Sequence, residues 1–368
     1  MCETPMISAT GRASSSPEPS APLAFSTNTI PSPASIYSNP TPATSSLNIE
    51  ESQQQRASPG PRQIRLASLN TDGIRGDNSL EIRAVEACRQ LRKENPDIIL
   101  LQEVVDLSLP IFRQQLAPHF KLISKPGKSS YYCCIFVSNH FSVVEDSYSA
   151  QNFAPSPRLG MGSDMGRMLY RVSVTGGRLG DSVIDIFTSH LESTGGKVAG
   201  GKRILQLYEA CSEMVRTPFP AIFGGDTNLR VSEVSGPAAW KAAFMAANGT
   251  PEDEAAGAVH FKSLFRPAKK SAIVDAFCAS GEPEEHKITW DVTENNPYGM
   301  QPHPINGCRG WQMRFDRYYY KRNGITVVPG SFRVVCKEPF HLTGPSSGKL
   351  FASDHYGMCC DWEVASSS

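Results

Sequence analysis

Neither sign of charge dominates this chain: 36 Lys and Arg stand against 36 Asp and Glu. That excludes a broad basic field for nucleic acid, so any such contact must come from local patches. The ends differ little from the middle. Residues 1–60 carry Glu3, Glu18, Glu50 and Glu51 against Arg12 and Arg56, a net of −2 that leaves +2 for the rest. No apolar run approaches the ~18 residues of a membrane span, and no basic start precedes an early apolar stretch. Neither a membrane anchor nor a secretory leader is expected. The 10 cysteines include the adjacent pairs Cys133-Cys134 and Cys359-Cys360 but no C-x-x-C. They read as reduced thiols of a cytosolic or nuclear protein, not as an extracellular framework. The 8 histidines show neither H-x-x-x-H nor H-E-x-x-H spacing, which removes the zinc readings. P-loop, G-x-S-x-G and dinucleotide fingerprints are absent too.

What remains is one sizeable core. Hydrophobic residues make up 40% of the 368 positions, enough for a large globular domain. Residues 1–61 are rich in Ser, Pro, Thr and Ala and lack apolar periodicity, so a disordered tail is expected there and a catalytic domain over 62–365. Ile64–Leu69 alternates like a half-buried strand and ends at Asn70. Leu80–Glu94 reads as a helix whose start Asn78 or Ser79 can cap, and Pro96 marks its end. Asp97–Leu101 is a buried strand that delivers Gln102 and Glu103. A helix over Leu107–Leu116 tolerates Pro110 in its first turn. Strands are expected at Lys121–Ser124, Tyr131–Val137 and Phe141–Tyr148. Met168–Val174 and Val183–Ser189 form a hairpin across Gly176-Gly177. A helix over Lys202–Val215 precedes the short strand Ala221–Phe223. Within 236–270 the alanine-rich part can be helical. Strands at Ile288–Val292, Arg314–Lys321, Ile325–Val328, Ser331–Cys336 and His355–Val364 complete the order. That order fits an α/β sandwich of two sheets with helices outside. No internal sequence repeat is visible, although two sheets can hide a pseudo-symmetry.

Polar residues recur where the apolar strands run out: Asn70, Gln102-Glu103, His190, Asp226-Thr227-Asn228, and Asp354-His355. One such glutamate is usually a solvated loop residue, and one such histidine a satisfied structural one. Five ends with complementary chemistry point to phosphodiester hydrolysis. A hard divalent cation offsets the charge of the anionic substrate, and magnesium takes oxygen ligands while keeping waters. Glu103 is the candidate ligand, supported by Asn70, with Asp354 near the metal. Asp226 is the candidate base and Asn228 the residue that positions water or phosphate. A protonated His355 suits the charge that develops on phosphoryl oxygens, and Asp316 is its candidate carboxylate partner.

These motifs resemble the endonuclease/exonuclease/phosphatase superfamily: L-N-T-D-G (69–73), L-Q-E-V (101–104), T-S-H-L-E-S (188–193), G-G-D-T-N-L-R (224–230) and S-D-H-Y-G (353–357). The resemblance covers most of Gln63–Glu363. It implies a four-layer αββα sandwich of two mixed, mostly antiparallel sheets and a Mg2+-assisted in-line attack by water, with Mn2+ as a possible substitute. Within the superfamily, Thr289-Trp290-Asp291 with Asn295, Gly225–Arg230, and Arg314–Arg317 look like the tyrosyl-DNA phosphodiesterase 2 family. That likeness implies release of tyrosyl or peptide adducts, remnants of topoisomerase II, from DNA 5′ ends, leaving a 5′-phosphate. Protein-linked RNA is a further implied substrate. His190, Ser193 and Arg230 are implied substrate contacts. Trp290 and Phe315 either offer faces for base stacking or pack in the core. A tyrosyl leaving group with pKa near 10 needs little general acid.

The sequence departs from that family at three places: Leu69 where tryptophan is common, Val292 for the second threonine of T-W-D-T, and Tyr356 for tryptophan. A ubiquitin-binding helical domain is not expected in 1–60. A poly(A) 3′ exonuclease or an abasic-site endonuclease would share Asn70, Glu103, Asp226 and His355. A binding scaffold without catalysis would have eroded them. The basic pairs Lys269-Lys270 and Lys321-Arg322 are solvated faces or weak phosphate steering. A monomer working in the nucleus, with some in the cytoplasm, is expected.

Overall fold

In the computed structural model, the first expected strand is β1, Arg62–Asn70. The structure describes residues 62–75, 77–124, 130–155, 162–230, 233, 272–296, 312–341 and 349–365. The expected tail, the alanine-rich helix in 236–270 and Lys269-Lys270 lie outside them. β1 alternates as its sequence requires. Ile64 and Leu66 join the apolar layer between two sheets, while Ala67 and Leu69 face a helix layer.

Helix α1 (Leu80–Lys93) carries the chain back, and β2 (Ile98–Val104) then pairs parallel to β1. The expected cap is replaced by a local network. Ser79 precedes α1 but makes no side-chain cap; its hydroxyl donates to Asp77 Oδ1 at 2.6 Å and accepts from Arg83 Nε at 3.1 Å. Helix α2 (Leu109–Leu116) follows, with Pro110 in its first turn. Then come β3 (Phe120–Leu122), β4 (Tyr132–Ser138), β5 (Phe141–Val143) and β6 (Ser149–Asn152). The single strand expected over Phe141–Tyr148 is thus broken. Asp146 lies at φ 52° and the Ser147 N–H turns back to the Val144 carbonyl at 3.2 Å.

β7 (Met168–Gly176) and β8 (Ile184–Thr188) are the expected hairpin. Helix α3 (Lys197–Arg216) starts earlier than its periodicity suggested, and β9 (Ala221–Asp226) returns parallel to β8. β10 (Ile273–Asp275), α4 (Ala276–Ala279), β11 (Trp290–Asp291), β12 (Gln312–Met313) and β13 (Asp316–Lys321) follow. β11 is shorter than the expected Ile288–Val292. Asp291 Oδ1 accepts the Thr293 N–H at 2.9 Å, a side-chain turn that ends the strand. The chain closes with β14 (Ile325–Val327), β15 (Arg333–Val335), β16 (Phe340–His341), β17 (Lys349–Leu350) and β18 (Gly357–Val364).

One sheet runs β14-β18-β1-β2-β4-β3 with β15 on β18, and the other β10-β13-β9-β8-β7-β5 with β6 on β7. Each has a single parallel pair bridged by a helix, β1-α1-β2 and β8-α3-β9, and is otherwise antiparallel. This is the hidden pseudo-symmetry. Ile98, Leu100 and Ile135 meet Val172, Ile186, Ile222 and Tyr318 between the sheets. α1 and α2 cover one outer face through Ala84, Leu91 and Phe112; α3 covers the other through Ile204, Leu207 and Met214. Four layers result, each buried aliphatic or Phe side chain contributing about 1.5–3 kcal/mol. Among the described residues, all 8 cysteines are free thiols, 7 of them buried.

Candidate active site

Period-2 alternation decides what converges at the carboxyl ends of the parallel pairs. Asn70 shares the parity of Ile64 and Leu66, and Asp226 that of Ile222. Asp316 shares the parity of Tyr318 and Tyr320. All three therefore face the space between the sheets. Glu103 should not, because Leu101 of its parity packs under the helices. The strand corrects this with a bulge. The β2–β4 register shifts between Leu101 and Val104, and Glu103 takes φ 53°. A bulge of this kind re-aims a side chain at the cost of a left-handed backbone. Gly225 performs the matching service on β9. A Cβ there would stand 2.3 Å from the Ser189 carbonyl oxygen.

The Asp226 carboxylate is the hub. Its Oδ2 accepts from Asn70 Nδ2 at 2.9 Å and lies 3.2 Å from His190 Nε2 and 3.7 Å from His355 Nε2. Its Oδ1 accepts the Asn228 N–H at 2.9 Å. Asn228 Nδ2 also stands 3.0 Å from His190 Nε2. His355 Nδ1 meets Asp316 Oδ2 at 2.8 Å. Asp226, Asp316 and His355 bring ligand-type atoms within 4.8 Å of one another, but an imidazole that carries both protons has no lone pair to offer, so only the two carboxylates suit a cation there. Glu103 Oε1 is 3.6 Å from His190 Nδ1, and Glu103 is hydrogen-bonded to Asn70. Ser353 Oγ donates to the Asn70 carbonyl at 2.6 Å, which ties the last motif to the first.

Electrostatics separate these groups. Burial pushes the Glu103 carboxyl up to about 8, and the Asp354 and Asp226 charges add to it. Burial also opposes charge on Asp226, but His190, His355 and the Asn70 amide outweigh it and hold its pKa well below the usual carboxylate range. His355 goes the other way. Burial would neutralise it, yet Asp316, Asp354 and Asp226 together keep its pKa well above the ordinary histidine value. His190 falls to about 4 through burial and the neighbouring Arg167 charge. One neutral and one cationic imidazole therefore flank the same carboxylate.

The remaining expected residues surround this hub. Arg230 Nη2 donates to the Thr194 carbonyl at 2.9 Å, and its guanidinium carbon lies 5.1 Å from the Phe315 ring centroid. Burial and Arg203 lower its pKa to about 10, so it stays cationic at neutral pH. Trp290 and Phe315 pack at 5.4 Å between centroids, and Phe315 lies 6.2 Å from the His355 ring. They are 8% and 7% exposed, so little of either ring is open to a base. Trp290 Nε1 donates to Asp354 Oδ2 at 3.2 Å. Val292 joins their apolar cluster, filling the place expected for a threonine. Ser193 is not drawn to the hub by any hydrogen bond of its hydroxyl, which donates to Met165 Sδ at 3.1 Å.

Sequence reasoning assigned no role to three contributors. Arg167 Nη1 meets His190 Nδ1 at 2.8 Å, and its guanidinium lies 4.9 Å from the Tyr131 ring centroid. Arg83, 1% exposed, donates to the Thr71 and Asp72 carbonyls at 3.3 and 3.1 Å and clamps the turn after Asn70. The Thr289 hydroxyl oxygen accepts the N–H groups of Phe315 and Asp316, both at 3.1 Å. Only Thr289 carried a sequence signal, as the first residue of its T-W-D triplet.

Comparison with known proteins agrees with this geometry. A model of the Endonuclease/Exonuclease/phosphatase family matches residues 67–355. The chain is 27% identical over 299 residues to tyrosyl-DNA phosphodiesterase 2 of Xenopus laevis, across 80% of this chain and 65% of that protein. It is 26% identical over 319 residues to that of Homo sapiens, across 86% and 71%. The chain thus spans just under two thirds of the Xenopus laevis relative's length. Among solved structures, truncated Caenorhabditis elegans TDP2 superposes with TM-score 0.58 at 23% identity, covering 82% of this chain and 98% of that one. D. rerio TDP2 complexed with single strand DNA product gives 0.59 at 21%, covering 82% and 99%. At such identities the structural likeness establishes the fold.

Proposed function

Since the chain belongs to the endonuclease/exonuclease/phosphatase family, we propose that it hydrolyses 5′-phosphotyrosyl bonds between a topoisomerase II-derived tyrosine or peptide and DNA, leaving a 5′-phosphate. The observation that carries the chemistry is Asp226, an ionised carboxylate held between Asn70, Asn228, a neutral His190 and a cationic His355. The choice of substrate is supported by the tyrosyl-DNA phosphodiesterase 2 relatives and by Arg230 over Phe315 beside Trp290. Protein-linked RNA is a second substrate of the same reading. The work is that of a monomer in the nucleus, with some in the cytoplasm.

The residues fit a divalent cation. Burial and the crowding of Glu103 against Asp354 and Asp226 leave a carboxyl at about 8, an excess of negative charge that a cation relieves. Glu103, Asn70 and Asp354 would hold Mg2+, or Mn2+ in its place. When bound, the ion offsets the phosphodiester charge and polarises a phosphoryl oxygen. Asp226 accepts the proton of the attacking water as its oxygen bonds to phosphorus, and the bond to the tyrosyl oxygen breaks opposite. Asn228 and Asn70 fix the carboxylate and the water it activates. Protonated His355, anchored by Asp316, donates to a non-bridging oxygen as charge gathers there. The phenolate leaves unassisted, because its conjugate acid has pKa near 10. Ser193 and Arg230 contact the phosphate or strand, and Trp290 and Phe315 meet the terminal base.

Product analysis tests this reading. A 5′-tyrosyl oligonucleotide incubated with the chain and Mg2+ should give free tyrosine and an end that a ligase joins directly. A product shortened by nucleotides, with tyrosine still attached, would refute it.

A further inference from the structure

Met165 sits between two donors of this site. Its Sδ accepts from Ser193 Oγ at 3.1 Å and from Arg167 Nη2 at 3.5 Å. Arg167 in turn holds His190 Nδ1 and covers the Tyr131 ring. The turn that presents the sulfur is itself fixed. Ser163 Oγ accepts the N–H groups of Met165 and Arg167 at 3.1 and 3.0 Å and donates to the buried Glu192 carboxylate at 2.6 Å. Met165 is half-buried and flanked by exposed Asp164 and Gly166. The 7 buried cysteines are shielded by comparison.

A thioether is a weak acceptor. A hydroxyl resting on it exchanges it readily for a phosphate oxygen. A sulfoxide oxygen is a strong, polar acceptor, and it competes with the phosphate for the Ser193 hydroxyl while tightening its hold on Arg167. We propose that Met165 is an oxidation site through which peroxides weaken substrate binding. The Sδ lone pair attacks a peroxide oxygen, the O–O bond breaks, S=O forms and water leaves. Sulfur is oxidised by two electrons and the peroxide is reduced. The inference rests on the reading that Ser193 contacts the phosphate. Diverting one hydrogen bond of charge-assisted strength should raise KM about tenfold with little change in kcat.

The test uses the full chain treated with hydrogen peroxide, then with a thiol reductant so that disulfides and sulfenic acids are reversed. Met165 sulfoxide is measured by peptide mass, and kcat and KM by tyrosine release. Met165→Leu, close in volume, and Met168→Leu are treated in parallel. Each chain is compared with its own untreated sample. The expected result is a KM rise in the native chain and in Met168→Leu but not in Met165→Leu, reversed by methionine sulfoxide reductase. Quantitative sulfoxide at Met165 with unchanged KM would overturn the proposal. So would an equal loss in Met165→Leu, or lost activity while Met165 stays reduced. If the untreated chain cleaves a different phosphodiester, the proposed substrate fails by itself, and the same comparison on that phosphodiester decides the switch.

Discussion

Replacing Thr289 with valine keeps the shape of the side chain and removes its oxygen. That oxygen is fully buried and accepts two backbone N–H groups, those of Phe315 and Asp316, each at 3.1 Å. A buried donor left without a partner costs about 1–3 kcal/mol, so the pair sets a loss of roughly 2–6 kcal/mol. With a shift of about 2–4 °C per kcal/mol in a domain of this size, Tm should fall by at least about 6 °C if 3 kcal/mol is lost. The effect on turnover follows from position. Asp316 opens β13 opposite Asp226 and anchors His355 Nδ1, so a displaced Asp316 backbone misplaces the imidazole. A fall in kcat of about tenfold or more is expected from such misplacement. Thr289→Ser retains the acceptor and should lie within ~1 kcal/mol of the native chain, with turnover intact. Urea unfolding and steady-state tyrosine release measure both. A valine variant within ~0.5 kcal/mol of native stability and with native kcat would refute the claim that this hydroxyl organises β13.

Glu103→Gln and Asp226→Asn should each lower kcat by at least about a hundredfold, the scale of a lost transition-state interaction, while circular dichroism shows the native fold; near-native turnover in either would remove that residue from the chemistry. Chelation should abolish turnover, and Mg2+ or Mn2+ should restore it; activity that survives exhaustive chelation would contradict the proposed metal. Trp290→Ala should destabilise by about 3–5 kcal/mol, as for other buried aromatics, and raise KM for single-stranded ends; a stable variant with unchanged KM would contradict both its packing and its contact with the strand.

How much the sequence revealed depends on where each residue lies. Asn70, Glu103 and Asp226 were legible because each stands at the end of an apolar strand, and His355 because it stands just before one, and a polar group there stands out. The bulge that turns Glu103 inward was not legible, since alternation alone places it under the helices with Leu101. Arg167 and Arg83 were missed for a related reason. Arg167 follows a Gly- and Ser-rich loop and meets its partner 23 positions later, while Arg83 lies on a helix face where a guanidinium reads as solvent-exposed. The broken strand over 141–148 and the shortened β11 reflect side-chain and left-handed turns that outcompete β propensity locally. Trp290 stood open between core and substrate, and its 8% exposure places most of the ring in the core.

The central claim is the substrate, because the Asp226 hub alone would serve any nuclease of the family. The direct measurement is a parallel time course on 5′-tyrosyl, 3′-tyrosyl, abasic-site and poly(A) oligonucleotides at equal concentration with Mg2+, with Glu103→Gln as the blank. The 5′-tyrosyl substrate should be cleaved fastest by a wide margin, and the blank should be silent on it. Faster cleavage of poly(A) or of the abasic strand would contradict it.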